Sequence, residues 1–75
     1  MAQVILTVPD ISCGHCEATV KRALAPVAGV RAVSVDIPSK KVTVLYDDRQ
    51  ADVERFKAVL AEEDYPVAAA EQVGS

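Results

Sequence analysis

Residues 33–46 read Val33-Ser34-Val35-Asp36-Ile37-Pro38-Ser39-Lys40-Lys41-Val42-Thr43-Val44-Leu45-Tyr46. Val33, Val35 and Ile37 recur at every second position, and so do Val42, Val44 and Tyr46 beyond the turn around Pro38-Ser39-Lys40. A period of two puts successive side chains on opposite faces of a strand, so two such runs across a short polar turn predict a β-hairpin. What flanks this hairpin on either side decides the fold.

Upstream, Val4, Leu6 and Val8 alternate as a strand, which Pro9 and Asp10 end. From Cys13 the spacing changes: Cys16, Val20, Ala23, Leu24 and Val27 fall at helical intervals, and Pro26 with Gly29 closes the helix. Downstream, the polar stretch Asp47 to Ala51 leads to Asp52, an N-cap for a second helix whose stripe is Val53, Phe56, Val59 and Leu60. Tyr65 and Pro66 break that helix. Val67 to Glu71 is then a weak last strand, expected to start at Pro66 and to lie at a sheet edge, because proline cannot donate to a ladder.

The order is β-α-β-β-α-β. With right-handed crossovers it predicts an α+β, ferredoxin-like βαββαβ fold, a four-stranded antiparallel sheet with two helices on one face. The 75 residues are expected to form a single domain, 1–75, with no linker, repeat or low-complexity stretch. A chain this short buries only about 60% of the surface its unfolded form exposes. A deep catalytic cleft does not fit that core, so a binding module is expected and an enzyme is not.

Composition narrows the class further. Half the residues are apolar and a quarter charged, as in folded proteins. Residues 1–38 carry three basic and three acidic side chains, and the remainder five basic and eight acidic, so the net charge of −3 sits in the second half. That balance excludes nucleic acid as a partner, since it offers no concentrated basic face. It fits protein partners of complementary charge, and equally a surface kept soluble by its acidity. The N-terminus lacks the basic and apolar regions of a signal peptide, and no apolar run approaches the ~20 residues of a membrane span. A cytoplasmic protein without membrane insertion is expected. In that compartment a cysteine pair is more often metal-binding or catalytic than a structural bridge.

The only reactive constellation is Ile11-Ser12-Cys13-Gly14-His15-Cys16, where the first strand becomes the first helix. Two intervening residues let both sulfurs point at one small ion. Cys16 falls on the inward stripe of the first helical turn, where unpaired N–H groups and the positive dipole end stabilise thiolates. Two thiolates without a further strong ligand suit a soft ion of low coordination number, Cu(I) first. A closed structural zinc site wants four ligands, and the chain has two cysteines and one histidine.

With these residues in place, the chain resembles the heavy-metal-associated domain family, and within it the bacterial CopZ-type copper chaperones. The family's mark is Gly-Met-x-Cys-x-x-Cys after the first strand; here it reads Asp10-Ile11-Ser12-Cys13-Gly14-His15-Cys16. Ala28-Gly29-Val30 matches the family's step into the second strand, Asp64-Tyr65 its Gly-Tyr before the last, and the likeness spans nearly the whole chain. The resemblance implies that Cys13 and Cys16 ligate the metal and that Tyr65 lies close by in a neighbouring loop. It also implies delivery to the metal-binding domain of a copper-transporting P-type ATPase. Three departures stand out. Ile11 replaces a Met that packs under the loop, keeping the apolar anchor without the thioether. Asp10 replaces Gly and puts near the loop a carboxylate that favours a harder divalent ion. Asp64 replaces a Gly and tolerates the left-handed conformation better than most residues.

Alternatives remain at this point. A Zn(II), Cd(II) or Hg(II) carrier of the same fold uses the same cysteines. Cys-Gly-His-Cys also occurs in protein disulfide isomerase, and a thiol–disulfide oxidoreductase needs the same helix-start activation. Against it stand the absence of a Trp before Cys13, a chain shorter than a thioredoxin domain and a second helix that follows a hairpin. His15 reads either as an exposed residue tuning the thiolates or as an auxiliary ligand, including across a copper-bridged homodimer. Tyr65 reads as a lid over the site or as packing at the edge of the core. Lys21 and Arg22, one turn beyond Cys16, form either a docking face or a solvated one.

Overall fold

In the computed structural model, which describes residues 2–11 and 14–73, the hairpin forms in the expected place. β2 (Val30–Asp36) pairs antiparallel with β3 (Lys41–Tyr46), with Val33 opposite Val44 and Val35 opposite Val42. The register shifts by one residue between Val30 and Ala32, so Val30 faces Tyr46 while Ala32 faces Leu45. Ile37 lies in the turn and not in the strand: its carbonyl accepts from the Lys40 N–H at 3.1 Å, which closes the hairpin before the apolar alternation ends.

The first strand, β1 (Ala2–Thr7), runs between β3 and the last strand, β4 (Ala69–Val73). The order across the sheet is β2-β3-β1-β4, with every neighbour antiparallel. Val4 and Leu6 of β1 and Val42, Val44 and Tyr46 of β3 point to one face, and all are buried. Over that face lie α1 (Gly14–Leu24), through Cys16, Val20 and Leu24, and α2 (Val53–Glu62), through Phe56 and Leu60. The Tyr46 and Phe56 rings meet edge to face, centroids 5.0 Å apart, and the Tyr46 hydroxyl accepts from Gln72 Nε2 at 2.8 Å. This is the ferredoxin-like fold expected from the order of elements.

The ends of the helices are set by particular residues. Pro26 has no N–H to extend α1. Gly29 then turns the chain into β2 at φ 90°, where a Cβ would come within 2.8 Å of the Gln50 Cβ. Asp52 caps α2 as expected, Oδ1 accepting from the Arg55 N–H at 2.8 Å. At the other end the Asp64 N–H donates to the Ala61 carbonyl and the Tyr65 N–H to the Leu60 carbonyl, with Asp64 at φ 66°. That pair of bonds is a Schellman cap with Asp in the place glycine usually fills.

β4 begins at Ala69, later than the apolar pattern suggested, and forms the expected sheet edge. The reason is hydrogen bonding. Pro66 has no donor, Val67 turns its side chain to the core, and the first bond to β1 is from the Ala68 N–H to the Thr7 carbonyl at 2.8 Å.

Candidate metal centre

Beyond β1 the chain makes one tight turn before α1. The Val8 side chain is buried, and the Ile11 N–H returns to the Val8 carbonyl at 3.2 Å. Ile11 is fully buried, so an apolar side chain without a thioether anchors the chain at the end of that turn. Asp10, beside it, is exposed, leaving its carboxylate at the surface next to the loop.

α1 starts at Gly14, which puts Cys16 in its first turn on the stripe facing the core. Cys16 is 8% exposed, and its Sγ lies 4.0 Å from the Asp10 carbonyl oxygen, a long and weak S–H contact. The first turn of a helix gathers backbone N–H groups without intrahelical partners, which favours an anionic sulfur there. Cys13, the other expected ligand, lies outside the described residues, and its pairing with Cys16 rests on their spacing.

His15 is exposed, one residue before the inward-facing Cys16, and successive helical side chains diverge. Its carbonyl accepts from Thr19 Oγ1 at 3.1 Å. Tyr65, placed by the cap of α2, is half-buried and packed against the core that includes Cys16. Lys21 is paired with Glu17 at 2.9 Å, one turn earlier on α1, while Arg22 is exposed.

One residue of the site had no signal in the sequence. Lys40, from the β2–β3 turn, donates from Nζ to the Ile11 carbonyl at 2.7 Å. The two are 29 residues apart, and the antiparallel pairing of β1 with β3, ending at Thr7 and Lys41, brings that turn beside the end of β1.

Among the described residues no three or more His, Cys, Asp and Glu side chains gather to hold a metal ion. A four-ligand cage is therefore not part of that region. Cys16 offers a sulfur donor at the start of α1, a donor type that suits soft ions better than hard ones. No helix among the described residues is long and apolar enough to cross a membrane.

Comparison with known proteins agrees with this fold. The family model described as heavy-metal-associated domain matches residues 5–66. The chain is 37% identical over 67 residues to "Copper chaperone CopZ" of Staphylococcus aureus, covering 89% of this chain and 98% of that one. A solved structure described as CopZ metallochaperone superposes with a TM-score of 0.85 at 36% identity, over 88% of this chain and 98% of the other. A copper binding domain from HMA7, a P-type ATPase, has the same fold, with a TM-score of 0.85 at 24% identity over 99% and 96% of the two chains.

Proposed function

The chain belongs to the heavy-metal-associated domain family, and from that membership we propose that it is a cytoplasmic copper(I) chaperone. Cys13 and Cys16 hold one Cu(I) between two thiolates. The observation that carries the reading is Cys16 in the first turn of α1, on the inward stripe of a chain 37% identical to a copper chaperone over nearly its whole length.

The residues act by holding and releasing the ion. The start of α1 offers backbone N–H groups to a metal-bound Cys16 sulfur, and Ile11, fully buried, anchors the chain that leads into Cys13. Cys16 is the retaining ligand because its side chain faces the core; Cys13 is the leading one. A thiolate of the receiving protein adds to the ion, giving a three-coordinate intermediate, and Cys13 then leaves. Two-coordinate Cu(I) always offers a third position, so each exchange has a small barrier. No bond within a substrate is made or broken, and the protein is not an enzyme. The receiver is a metal-binding domain of a copper-transporting P-type ATPase, a reading supported by a copper binding domain of a P-type ATPase sharing this fold. His15, exposed beside the pair, serves as an auxiliary ligand when two copies share copper, and Tyr65 screens the ion from the α2 side.

Anaerobic titration of the reduced protein with Cu(I), against a chromophoric chelator, tests this. One-to-one binding lost in Cys13→Ser and in Cys16→Ser is the expected result. The exposed Asp10 carboxylate favours a second reading, a Zn(II), Cd(II) or Hg(II) carrier. Zn(II) competing at comparable free concentration would establish that reading in place of copper, and insulin reduction would establish a thiol–disulfide oxidoreductase.

A further inference from the structure

Lys40 ends the β2–β3 turn at φ 58°, in the left-handed region. A residue with a Cβ occupies that region at a cost, and such strain persists only where the surroundings over-determine it. Two contacts do so here. The Lys40 carbonyl accepts from the Val8 N–H at 2.9 Å, and its Nζ donates to the Ile11 carbonyl at 2.7 Å. One residue therefore grips both ends of the turn from Val8 to Ile11. Ile11 is also held by its buried side chain and by its N–H on the Val8 carbonyl. Ser12 and Cys13 follow it directly in the chain.

We propose that Lys40 is a positioning residue for the metal-binding loop, clamping at Ile11 the backbone that leads into Cys13. The proposal rests on the copper reading above for what the loop holds. A charge-assisted bond at 2.7 Å in a partly buried setting is stronger and less screened than a surface contact. Lys41 offers the contrast. It carries the same charge one residue further on, but its Nζ goes to the exposed Thr7 Oγ1 at 3.1 Å and grips no loop backbone.

The left-handed backbone supplies a variant that separates the two roles of Lys40. Glycine accepts φ 58° without strain, so Lys40→Gly removes the ammonium while keeping the turn. Lys40→Met is a second variant that keeps the length of the side chain. Two measurements apply to the whole protein: the rate at which the Cu(I)-loaded form yields copper to excess chromophoric chelator, and hydrogen exchange of the Ile11 amide, bonded to the Val8 carbonyl, in the metal-free form. Both Lys40 variants are expected to release copper about three- to tenfold faster, the span a typical intramolecular hydrogen bond covers, and to lose protection at the Ile11 amide. Lys40→Arg should recover most of the difference, and Lys41→Met should behave as wild type. Wild-type rates and protection in Lys40→Gly would overturn the proposal, as would an equal effect of Lys41→Met. If the wild type fails to bind Cu(I) one-to-one, the chaperone reading falls. The metal-free exchange measurement then decides the clamp alone, lost protection supporting it and unchanged protection overturning it.

Discussion

Asp64 sits at φ 66° just past the end of α2, with its carboxylate at the negative end of the helix dipole. Both facts make it a costly residue there. Replacing it with glycine is expected to raise stability by about 0.5–1 kcal/mol in urea unfolding, the relief of left-handed strain exceeding the extra freedom of the unfolded chain. Asp64→Val should lower it by about 1–2 kcal/mol, because a β-branched side chain fits that region worst. Ile11 lies at the same scale on the other side of the site. Ile11→Met conserves volume in a fully buried place and should cost less than about 1.5 kcal/mol. Copper stoichiometry should stay the same, and X-ray absorption should register no additional sulfur neighbour. The tolerance of Asp64 for its conformation was readable from its place before Tyr65-Pro66. Lys40 was not readable, because nothing local says where a lysine in a turn sends its ammonium; the contact exists only through a pairing of distant strands.

Among the elements, the hairpin, the helices and their order were legible because their apolar periods are regular. Their ends were less so. Ile37 continues the alternation of β2 yet belongs to the turn, and Val67 looks like strand yet precedes the first bond of β4. Hydropathy reports which way a side chain faces, and both residues do face the core; the ladder of N–H and carbonyl groups decides where a strand begins. Asp52 was legible because capping is chemistry within four residues. Asp52→Ala removes the acceptor of the Arg55 N–H and should cost ~1 kcal/mol, measured as a lower urea midpoint with an unchanged slope. The cap lies at the start of α2 and Tyr65 follows its end, so copper affinity should not change. The helix-start position of Cys16 was likewise readable from sequence, and it is where the structure places it.

The whole molecule rests on a thin core. The helices cover one face of the sheet, while Leu45 and Val73, 37% and 36% exposed, stand out on the strands. A domain of this size has a total stability of roughly 4–11 kcal/mol. Phe56 is fully buried and meets Tyr46 edge to face, so Phe56→Ala should cost about 3–5 kcal/mol, a large share of the total, and lower the thermal midpoint accordingly. The sheet also has a direction. Gln3 pairs with Val73 at one end of β1, and Thr7 pairs with Ala69 at the other, where the cysteine loop departs. Gln3 and Val73 therefore lie side by side at the end of the sheet opposite Thr7. A short glycine-serine bridge from Val73 to Gln3, with new termini opened at Asp48–Arg49, should give a circularly permuted protein of unchanged copper affinity. A fluorophore attached beside Gln3 or Val73 should leave the transfer rate as it was.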